Sequence, residues 1–359
     1  IKGTRGVGKT TFLLQYAKEK FGTDRSCLFI NMNNFYFSGH SIVDFANEFQ
    51  KRGGKVLLID QVFKHPEWSR ELRMCYDRFP NLKIVFTGSS VMRLKEENLE
   101  LRDIAKSYNL RGFSFREYLN LQTGMKFRAY SLEEILSTHE QIAKGVLSKV
   151  RPLDYFQDYL HHGFYPFFLE KRNFSENLLK TMNMMVEVDI LLIKQIELKY
   201  LSKIKKLLYL LAVDGPKAPN VSQLASDIQT SRATVMNYIK YLADARLINL
   251  VYPKGEEFPK KPSKIMMHNS NLMYAIYPIK IDKQEVMETF FVNSLWKDHK
   301  VSQTGKDHYF IVDGEKKFRI CDAQSPNKVR NNPDIIYARY NNEVGKDNRI
   351  PLWLLGFLY

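Results

Sequence analysis

The feature that most limits how this chain can fold is a glycine-rich octapeptide close to its first residue. The sequence GTRGVGKT at residues 3–10 fits the pattern G-x-x-x-x-G-K-[ST], and residues 11–16 continue it with the spacing of an amphipathic helix. Glycines let the backbone curl so that its N–H groups face a phosphate, and the N-terminus of the helix adds positive potential. Such a loop joins a buried strand to a helix, so the pattern predicts an α/β nucleotide-binding domain. Because only two residues precede Gly3, we expect the natural chain to begin earlier.

This loop is expected to hold the phosphates of a nucleotide. Lys9 is expected to reach the β- and γ-phosphates, and the hydroxyl of Thr10 to ligate Mg²⁺, so the implied cofactors are ATP and Mg²⁺. The competing interpretation is a glycine turn before an ordinary helix, but the complete octapeptide between a strand and a helix favours nucleotide binding. The candidate binding residues are consecutive: Gly3, Thr4, Arg5, Gly6, Val7, Gly8, Lys9, Thr10 and Thr11.

An acidic residue at the end of an apolar strand supplies the second half of such a site. The run KVLLID at residues 55–60 has this form, and Asp60 is placed to hold the Mg²⁺ shell, directly or through water. Many ATPases of this type place Glu next, as the base that polarises the attacking water, whereas this chain has Gln61. A glutamine orients a water but cannot take its proton, so we expect slow hydrolysis, or none, with binding retained. Alternatively, a nearby carboxylate such as Glu67 is the base.

A third candidate element is the strand KIVF with the small polar run TGSS, at residues 83–90. Ser89 or Ser90 is a candidate sensor of the γ-phosphate or of the attacking water; alternatively, residues 88–90 form a simple turn. The candidate catalytic residues are therefore Lys9, Asp60, Gln61 and Ser89. Four arginines are candidate arginine fingers, although most are expected to be solvated or paired: Arg93, Arg102, Arg111 and Arg116.

Composition and patterning predict a soluble globular protein of two or three domains. The 359 residues include 54 Lys and Arg against 39 Asp and Glu, and the net charge of +15 favours an anionic partner without identifying it. The three cysteines, Cys27, Cys75 and Cys321, are far apart, which supports neither a disulfide framework nor a zinc site. No apolar run approaches the roughly 18 residues of a membrane span, and we expect no signal peptide. A cytoplasmic location fits these observations.

Short apolar runs alternate with stretches of helical spacing up to about residue 121. The runs CLFI, VLLI and IVF, at residues 27–30, 56–59 and 84–86, are predicted to be buried parallel strands. Four segments here, GTRGVGKTT, LLIDQVFKHPEWSRELR, KIVFTGSSVMRL and YNLRGFSFREYL, resemble the prokaryotic AAA+ ATPases of the archaeal-type ATPase group. The resemblance implies a P-loop NTPase core of the AAA+ type, with Lys9, Thr10 and Asp60 in the roles above. Two positions depart from the family pattern L-D-E-[IV]-H-K-x-P-x-W, because Gln61 replaces Glu and Phe63 replaces His.

The resemblance continues more loosely beyond this region, through HGFYP at residues 162–166 and EVDI at residues 187–190, into the uncharacterised domain that commonly follows this ATPase. We predict four parts of the chain. They are an AAA+ P-loop ATPase domain at residues 1–122, a helical lid or linker at 123–198, a winged helix-turn-helix at 199–272 and a small α+β domain at 273–359.

The winged-helix prediction comes from the order of the predicted elements. Residues 203–213, 221–228 and 231–246 are predicted helices, and 247–251 with 263–268 a two-stranded wing. Residues 199–264 hold 12 Lys and Arg against 5 Asp and Glu, an excess of seven positive charges. If this segment binds double-stranded DNA, three residues face the major groove and three lysines contact phosphates: Arg232, Thr234 and Asn237, then Lys240, Lys260 and Lys261. Alternatively, it is a structural module with a solvated charged surface.

The last part of the chain resembles the restriction-endonuclease-like tail of relatives of this ATPase. Residues 288–291, 308–313, 318–323 and 350–359 carry that resemblance, and strands are predicted at 308–313, 316–321, 335–340 and 351–359. A working nuclease of this type needs an acidic residue on one strand and an acid-x-Lys pair on the next, which together hold Mg²⁺ and activate water. In FRICDA, residues 318–323, Arg319 replaces the acid and no Lys follows at the right spacing, although Asp313 and Asp322 remain as candidates or as turn residues. We expect a degenerate, structural domain.

These expectations combine into an ATP-binding, AAA+ ATPase-like protein that acts as a nucleotide-dependent switch. Two alternatives stay open at this point: a DNA-binding regulator in which the nucleotide is a structural ligand, and an interaction scaffold with neither activity. The implied partners are ATP or ADP, with double-stranded DNA and a further protein as candidates, and no membrane.

Overall fold

The structure is a computed structural model that describes residues 1–89, 98–170, 172–303, 309–322 and 332–359. The chain forms two compact units. The first consists of residues 1–112 together with 187–196, and the second of residues 113–186 together with 197–359.

The first unit is built on a parallel sheet. Strand Val56–Asp60 lies in the middle, between Cys27–Asn31 and Lys83–Phe86, and both neighbours run parallel to it. A short parallel pair joins Lys2–Gly3 to Gly88–Ser89. The three predicted parallel strands are confirmed. In this register Asn31 lies opposite Asp60, so polar residues that end neighbouring strands meet at one edge.

Helices cover both faces of this sheet because the central strand is apolar on both sides. Leu57 and Ile59 belong to a core cluster with residues of two helices, whereas Val56 and Leu58 pack on Leu13 of the helix that follows the loop. This alternation is the two-residue period of a β-strand. The helices of the unit are Lys9–Phe21, Ile42–Lys51, Trp68–Arg78 and the short Leu191–Lys194, with 3₁₀ turns at Phe35–Ser38 and Val62–Lys64.

The second unit starts at residue 113. Residues 113–122, assigned above to the ATPase domain, belong to this unit because Phe115 is fully buried in it, with its ring 5.0 Å from that of Phe156 and 6.2 Å from that of Phe357. Conversely, residues 187–196, assigned to the linker, belong to the first unit. The helices of this part are Phe115–Thr123, Leu132–Leu147, Leu153–Asp158 and Phe174–Met184, with a π-helical turn at Tyr159–Gly163.

The middle of the second unit contains three helices followed by a strand pair. The helices are Leu201–Asp214, Val221–Asp227 and Arg232–Asp244, and the antiparallel strands are Ile248–Val251 and Lys264–Met267. Ser231 caps the third helix, since its hydroxyl accepts the N–H of Thr234. These bounds agree closely with those predicted from the sequence.

A mixed five-stranded sheet forms the last part of the unit, preceded by helices Ser270–Ile276 and Lys283–Leu295. Its strands lie in the order Arg349–Pro351, Ile335–Tyr340, Lys316–Asp322, Phe310–Val312 and Val301–Gln303. One prediction was wrong, because only Pro351 of the predicted strand 351–359 lies in a strand, Arg349–Pro351, and Leu352–Phe357 is a 3₁₀ helix. These six residues are buried, and a short, continuously apolar run cannot tell a buried strand from a buried helix. In the parts of the chain that the structure describes, no helix is long and apolar enough to cross a bilayer.

Candidate nucleotide-binding site

The glycine-rich loop leaves the strand Lys2–Gly3 and enters the helix Lys9–Phe21. Gly6 and Gly8 have positive φ angles of 83° and 95°, which side-chain-bearing residues rarely adopt. A Cβ atom at Gly3 would collide with the carbonyl oxygen of Leu110. The glycines of the pattern are therefore required by the path of the backbone.

The side chain of Lys9 folds back onto this loop. Its Nζ donates to the carbonyl oxygens of Gly3 and Thr4, at 2.9 Å and 2.8 Å. Burial lowers the pKa of Lys9 to about 8, with a smaller contribution from Arg5, while Asp189 and Asp60 act in the opposite direction. The lysine thus sits among charged groups from distant parts of the sequence.

Asp60 lies at the centre of a hydrogen-bond network at the end of the central strand. Its side chain is almost fully buried and accepts three hydrogen bonds: from Thr10 Oγ1 at 2.9 Å, Asn31 Nδ2 at 3.0 Å and Thr87 Oγ1 at 2.6 Å. The Thr10–Asp60 contact brings the two predicted Mg²⁺ ligands together. Thr10 and Thr11 are both exposed at the start of their helix.

Gln61 occupies the position where a catalytic Glu was expected. Its backbone is left-handed, with φ 55° and ψ 45°, and its N–H donates to Thr87 Oγ1 at 2.9 Å. This conformation is uncommon for a residue other than glycine and marks a constrained turn directly after Asp60. Glu67, the alternative base, is exposed and directly precedes the helix Trp68–Arg78.

Ser89 contacts a carboxylate that sequence reasoning did not assign to the site. The Ser89 hydroxyl donates to Asp189 Oδ2 at 3.2 Å, and the other carboxylate oxygen of Asp189 lies 2.7 Å from Arg5 Nη2. Lys64 is close to both charged partners: burial and Arg5 lower its pKa, and Asp189 raises it. Ser90 and Arg93 lie outside the described residues.

The remaining candidate arginine fingers differ in their surroundings. Arg102 is exposed and Arg111 is half-buried. Arg116, in the second unit, donates to the carbonyl oxygens of Tyr359 and Phe127 at 2.9 Å and 3.1 Å, which gives its guanidinium a role in holding the backbone.

Sequence reasoning missed four residues of this site: Asn31, Lys64, Thr87 and Asp189. Asn31 ends one strand and Thr87 follows another, and the carboxyl ends of parallel strands meet at one edge, so the pattern contained their signal. The sequence pattern contained no signal that places Asp189 at the site, because 100 residues separate it from Ser89.

An apolar cavity of about 650 Å³ in the same unit is a separate feature. Leu13, Tyr16, Phe86 and Tyr108 contribute to its lining, which includes neither Asp60 nor any residue of the loop 3–10. The cavity is therefore distinct from the glycine-rich loop.

The predicted nucleic-acid contacts lie in the second unit. Arg232 and Asn237 are exposed on the helix Arg232–Asp244, whereas the Thr234 hydroxyl lies 2.9 Å from that of Ser231. Two of the three lysines are paired: Lys240 with Asp244 and Lys260 with Glu256, each at 3.3 Å. Lys261 is exposed on the loop between the two strands.

The two acidic candidates of the predicted nuclease-like tail lie in a turn and at a strand end. Asp313 has a φ of 53° and accepts from the N–H of Lys300 at 2.9 Å, and its other oxygen lies 2.7 Å from His299 Nδ1. Asp322 ends its strand and accepts from Asn341 Nδ2 at 3.2 Å. Within the described ranges, no group of three His, Cys, Asp or Glu side chains is arranged to hold a metal ion.

Comparison with known proteins agrees with the geometry of the loop. Residues 1–119 match the family described as AAA domain, and residues 153–283 match a domain of unknown function, DUF8612. The chain is 30% identical over 271 residues to uncharacterized protein MJ1637 of Methanocaldococcus jannaschii, covering 71% of this chain and 56% of the relative. A second uncharacterized protein of that organism, MJ1544, is 26% identical over 269 residues, covering 70% and 55%.

The chain therefore spans about half the length of these curated relatives. Together, the family match, the parallel sheet and the glycine-rich loop support an AAA-type ATPase domain in the N-terminal third of the chain.

Proposed function

We propose that this protein binds ATP·Mg²⁺ through Lys9, Thr10 and Asp60 and acts as a nucleotide-dependent switch. The observation that carries the proposal is the 2.9 Å contact between Thr10 Oγ1 and Asp60 Oδ2. In this contact a hydroxyl and a carboxylate lie side by side at the end of the glycine-rich loop, close to the N-terminus of the helix Lys9–Phe21. Both oxygens are hard ligands of the kind that Mg²⁺ prefers.

The donor set of this site fits Mg²⁺ only together with a nucleotide. One carboxylate and one hydroxyl supply few ligands, and proteins commonly complete the shell of Mg²⁺ with substrate phosphates and water. Bound Mg²⁺ would neutralise the charge on the phosphate oxygens. The protein residues hold this arrangement, since Asn31 and Thr87 fix the orientation of the Asp60 carboxylate.

Slow hydrolysis is part of the proposal, because Gln61 follows Asp60 at the position of the expected base. An amide side chain can orient a water but does not accept its proton. Occupancy of the site then persists and orders the loop after Asp60. In this proposal, residues 123–198 act as a helical lid, 199–272 as a winged helix and 273–359 as a degenerate nuclease-like domain.

The test is a measurement of ATP turnover and ATP affinity for the wild type and Gln61→Glu. We expect Gln61→Glu to raise turnover by about 10²-fold, the lower range for a general base, with affinity changed less than about threefold. Lys9→Ala serves as the control that removes binding. If the wild type hydrolyses ATP as fast as Gln61→Glu does, another residue is the base, and the protein is a cycling ATPase and not a switch.

A second candidate function is a DNA-binding regulator. The exposure of Arg232 and Asn237 on one helix, preceded by a capped turn and a second helix, favours it. The test is duplex binding as a function of salt concentration. If the protein is such a regulator, its affinity for duplex DNA should fall steeply as the salt concentration rises. In Lys261→Ala, the slope of log affinity against log salt concentration should be smaller by about one. Binding that is absent at low salt would remove this candidate.

A further inference from the structure

Arg5 of the glycine-rich loop forms an ion pair with Asp189, which the pattern G-x-x-x-x-G-K-[ST] does not require. Arg5 Nη2 lies 2.7 Å from Asp189 Oδ1, and the side chain of Asp189 is only 5% exposed. The second oxygen of the same carboxylate accepts from Ser89 at 3.2 Å. The buried carboxylate of Asp189 therefore contacts the glycine-rich loop through Arg5 and the strand Gly88–Ser89 through Ser89.

The charges around this pair show that it lies at the phosphate-binding end of the loop. Asp189 raises the pKa of Lys9 and Arg5 lowers it, so both groups act directly on the lysine expected to contact phosphate. Arg5, Lys9 and Lys64 form a cationic group around Asp189. Phosphate oxygens and Asp189 are thus alternative anionic partners for the same guanidinium, and such charge-assisted pairs are the strong ones.

The position of Asp189 in the chain gives the pair a consequence beyond the loop. Residues 187–196 belong to the first unit, while residues 113–186 and 197–359 belong to the second. Ile190, beside Asp189, is fully buried, and Ile193 packs against the core cluster under the central strand. The segment is anchored in the ATPase unit and is continuous at both ends with the rest of the chain.

We propose that Asp189 is the internal counter-ion of the phosphate-binding loop, and that nucleotide phosphates compete with it for Arg5. Asp189 is then a positioning residue: it holds Arg5 and Ser89, and its release from Arg5 makes residues 187–196 respond to occupancy of the loop. This inference rests on the proposed function, since it requires a bound nucleotide.

The test is the affinity for ATP·Mg²⁺ of the wild type, Asp189→Asn and a matched control. The amide keeps the size and the hydrogen-bond acceptor of the carboxylate but removes the competing charge, so we expect Asp189→Asn to bind ATP·Mg²⁺ about three- to tenfold more tightly. A purely structural role predicts weaker binding. The control is Asp77→Asn, which breaks the exposed 3.1 Å pair with Arg73 in the same unit and should leave the affinity unchanged.

Two further measurements locate the effect. In an Arg5→Gln background, Asp189→Asn should no longer tighten binding; an undiminished gain would place the effect on Lys9 and overturn the role of Arg5. In the unmodified protein, which avoids any folding defect of a variant, saturating ATP·Mg²⁺ should speed amide hydrogen exchange in residues 187–196. Unchanged exchange there overturns the inference.

The outcomes separate this inference from the proposed function. If the wild type binds ATP·Mg²⁺ and Lys9→Ala does not, but Asp189→Asn binds no more tightly than the wild type, only the counter-ion role fails. If neither the wild type nor any variant binds ATP·Mg²⁺, the proposed function fails and the inference fails with it.

Discussion

Asp60 shows how one buried carboxylate can organise a site. Three neutral donors from three different segments, Thr10, Asn31 and Thr87, converge on its two oxygens. A buried charge without partners would cost several kcal/mol, whereas hydrogen bonds of neutral donors to a charged acceptor offset much of that cost, at about 1.5–3 kcal/mol each. The carboxylate is therefore held in one orientation by donors from three segments.

The pKa of Lys9 leads to a prediction for the pH dependence of nucleotide binding. Burial lowers this pKa to about 8, and bound phosphate favours the protonated lysine. The favourable charge is fully present below pH 8 and is lost as the pH rises through 8. We expect the affinity for ATP·Mg²⁺ to fall about tenfold between pH 7 and pH 9, measured by titration calorimetry with saturating Mg²⁺.

Lys9→Arg is the control for this pH dependence, because arginine stays charged throughout the range. Any binding retained by Lys9→Arg should be nearly independent of pH between 7 and 9. A wild-type affinity that stays constant from pH 7 to pH 9 would contradict the prediction.

At this scale the sequence identified residues whose role is local. Lys9, Thr10 and Asp60 were predicted as site residues because each belongs to a short pattern with a fixed geometry. Asn31 and Thr87 required the additional step of placing neighbouring strand ends together. Asp189 could not be found in this way, because its pairing with Arg5 depends on a segment 184 residues away returning to the first unit.

Among the secondary-structure elements, the sheet of the first unit was the most predictable. Runs such as VLLI are apolar at every position, which is typical of a central parallel strand buried on both faces. The same property misled the prediction for the last residues of the chain, where LWLLGF forms a 3₁₀ helix. Burial alone selects apolar residues, and only alternation or turn residues distinguish the conformations.

The π-helical turn Tyr159–Gly163 depends on a buried asparagine from a distant helix. Asn271 Nδ2 donates to the carbonyl oxygens of Tyr159 and Leu160, at 3.1 Å and 2.9 Å, and its Oδ1 accepts the N–H of Phe164 at 2.9 Å. A wide turn leaves such backbone groups without the partners of an α-helix. Asn271 supplies them, and it is almost fully buried in doing so.

Asn271→Ala should therefore destabilise the protein by about 2–3 kcal/mol, because it leaves buried backbone groups unsatisfied. The measurement is urea unfolding followed by circular dichroism. Asn183→Ala is the matched control, since Asn183 is exposed and makes one bond, to the carbonyl of Leu179; we expect a change within about 0.5 kcal/mol. Equal effects of the two substitutions would show that the buried network does not stabilise the turn.

For the molecule as a whole, the net charge says less about the binding of an external anion than its size suggests. Many lysines of residues 199–264 are engaged by protein groups: Lys203 and Lys206 donate to the carbonyl oxygens of Gln229 and Asp227, each at 2.6 Å, and Lys264 pairs with Glu288. These three lysines keep their charge, but their ammonium groups are held by protein groups. The net charge of +15 therefore does not say which lysines could reach an external anion.

The division into units was also beyond the reach of local patterns. A boundary drawn along the sequence cannot represent a unit made of residues 1–112 and 187–196. Residues 113–122 were placed in the predicted ATPase domain because the segment YNLRGFSFREYL resembles that family, whereas Phe115 packs among aromatic residues of the second unit. Long-range contacts decide such assignments.

The most direct test of the central claim is calorimetric titration of the chain with ATP, with and without Mg²⁺, alongside Lys9→Ala and the exposed control Lys18→Ala. We expect one ATP per chain for the wild type and Lys18→Ala, at least about tenfold weaker binding without Mg²⁺, and no measurable binding for Lys9→Ala. Binding by Lys9→Ala as tight as that of the wild type, or no binding by the wild type, would contradict the account.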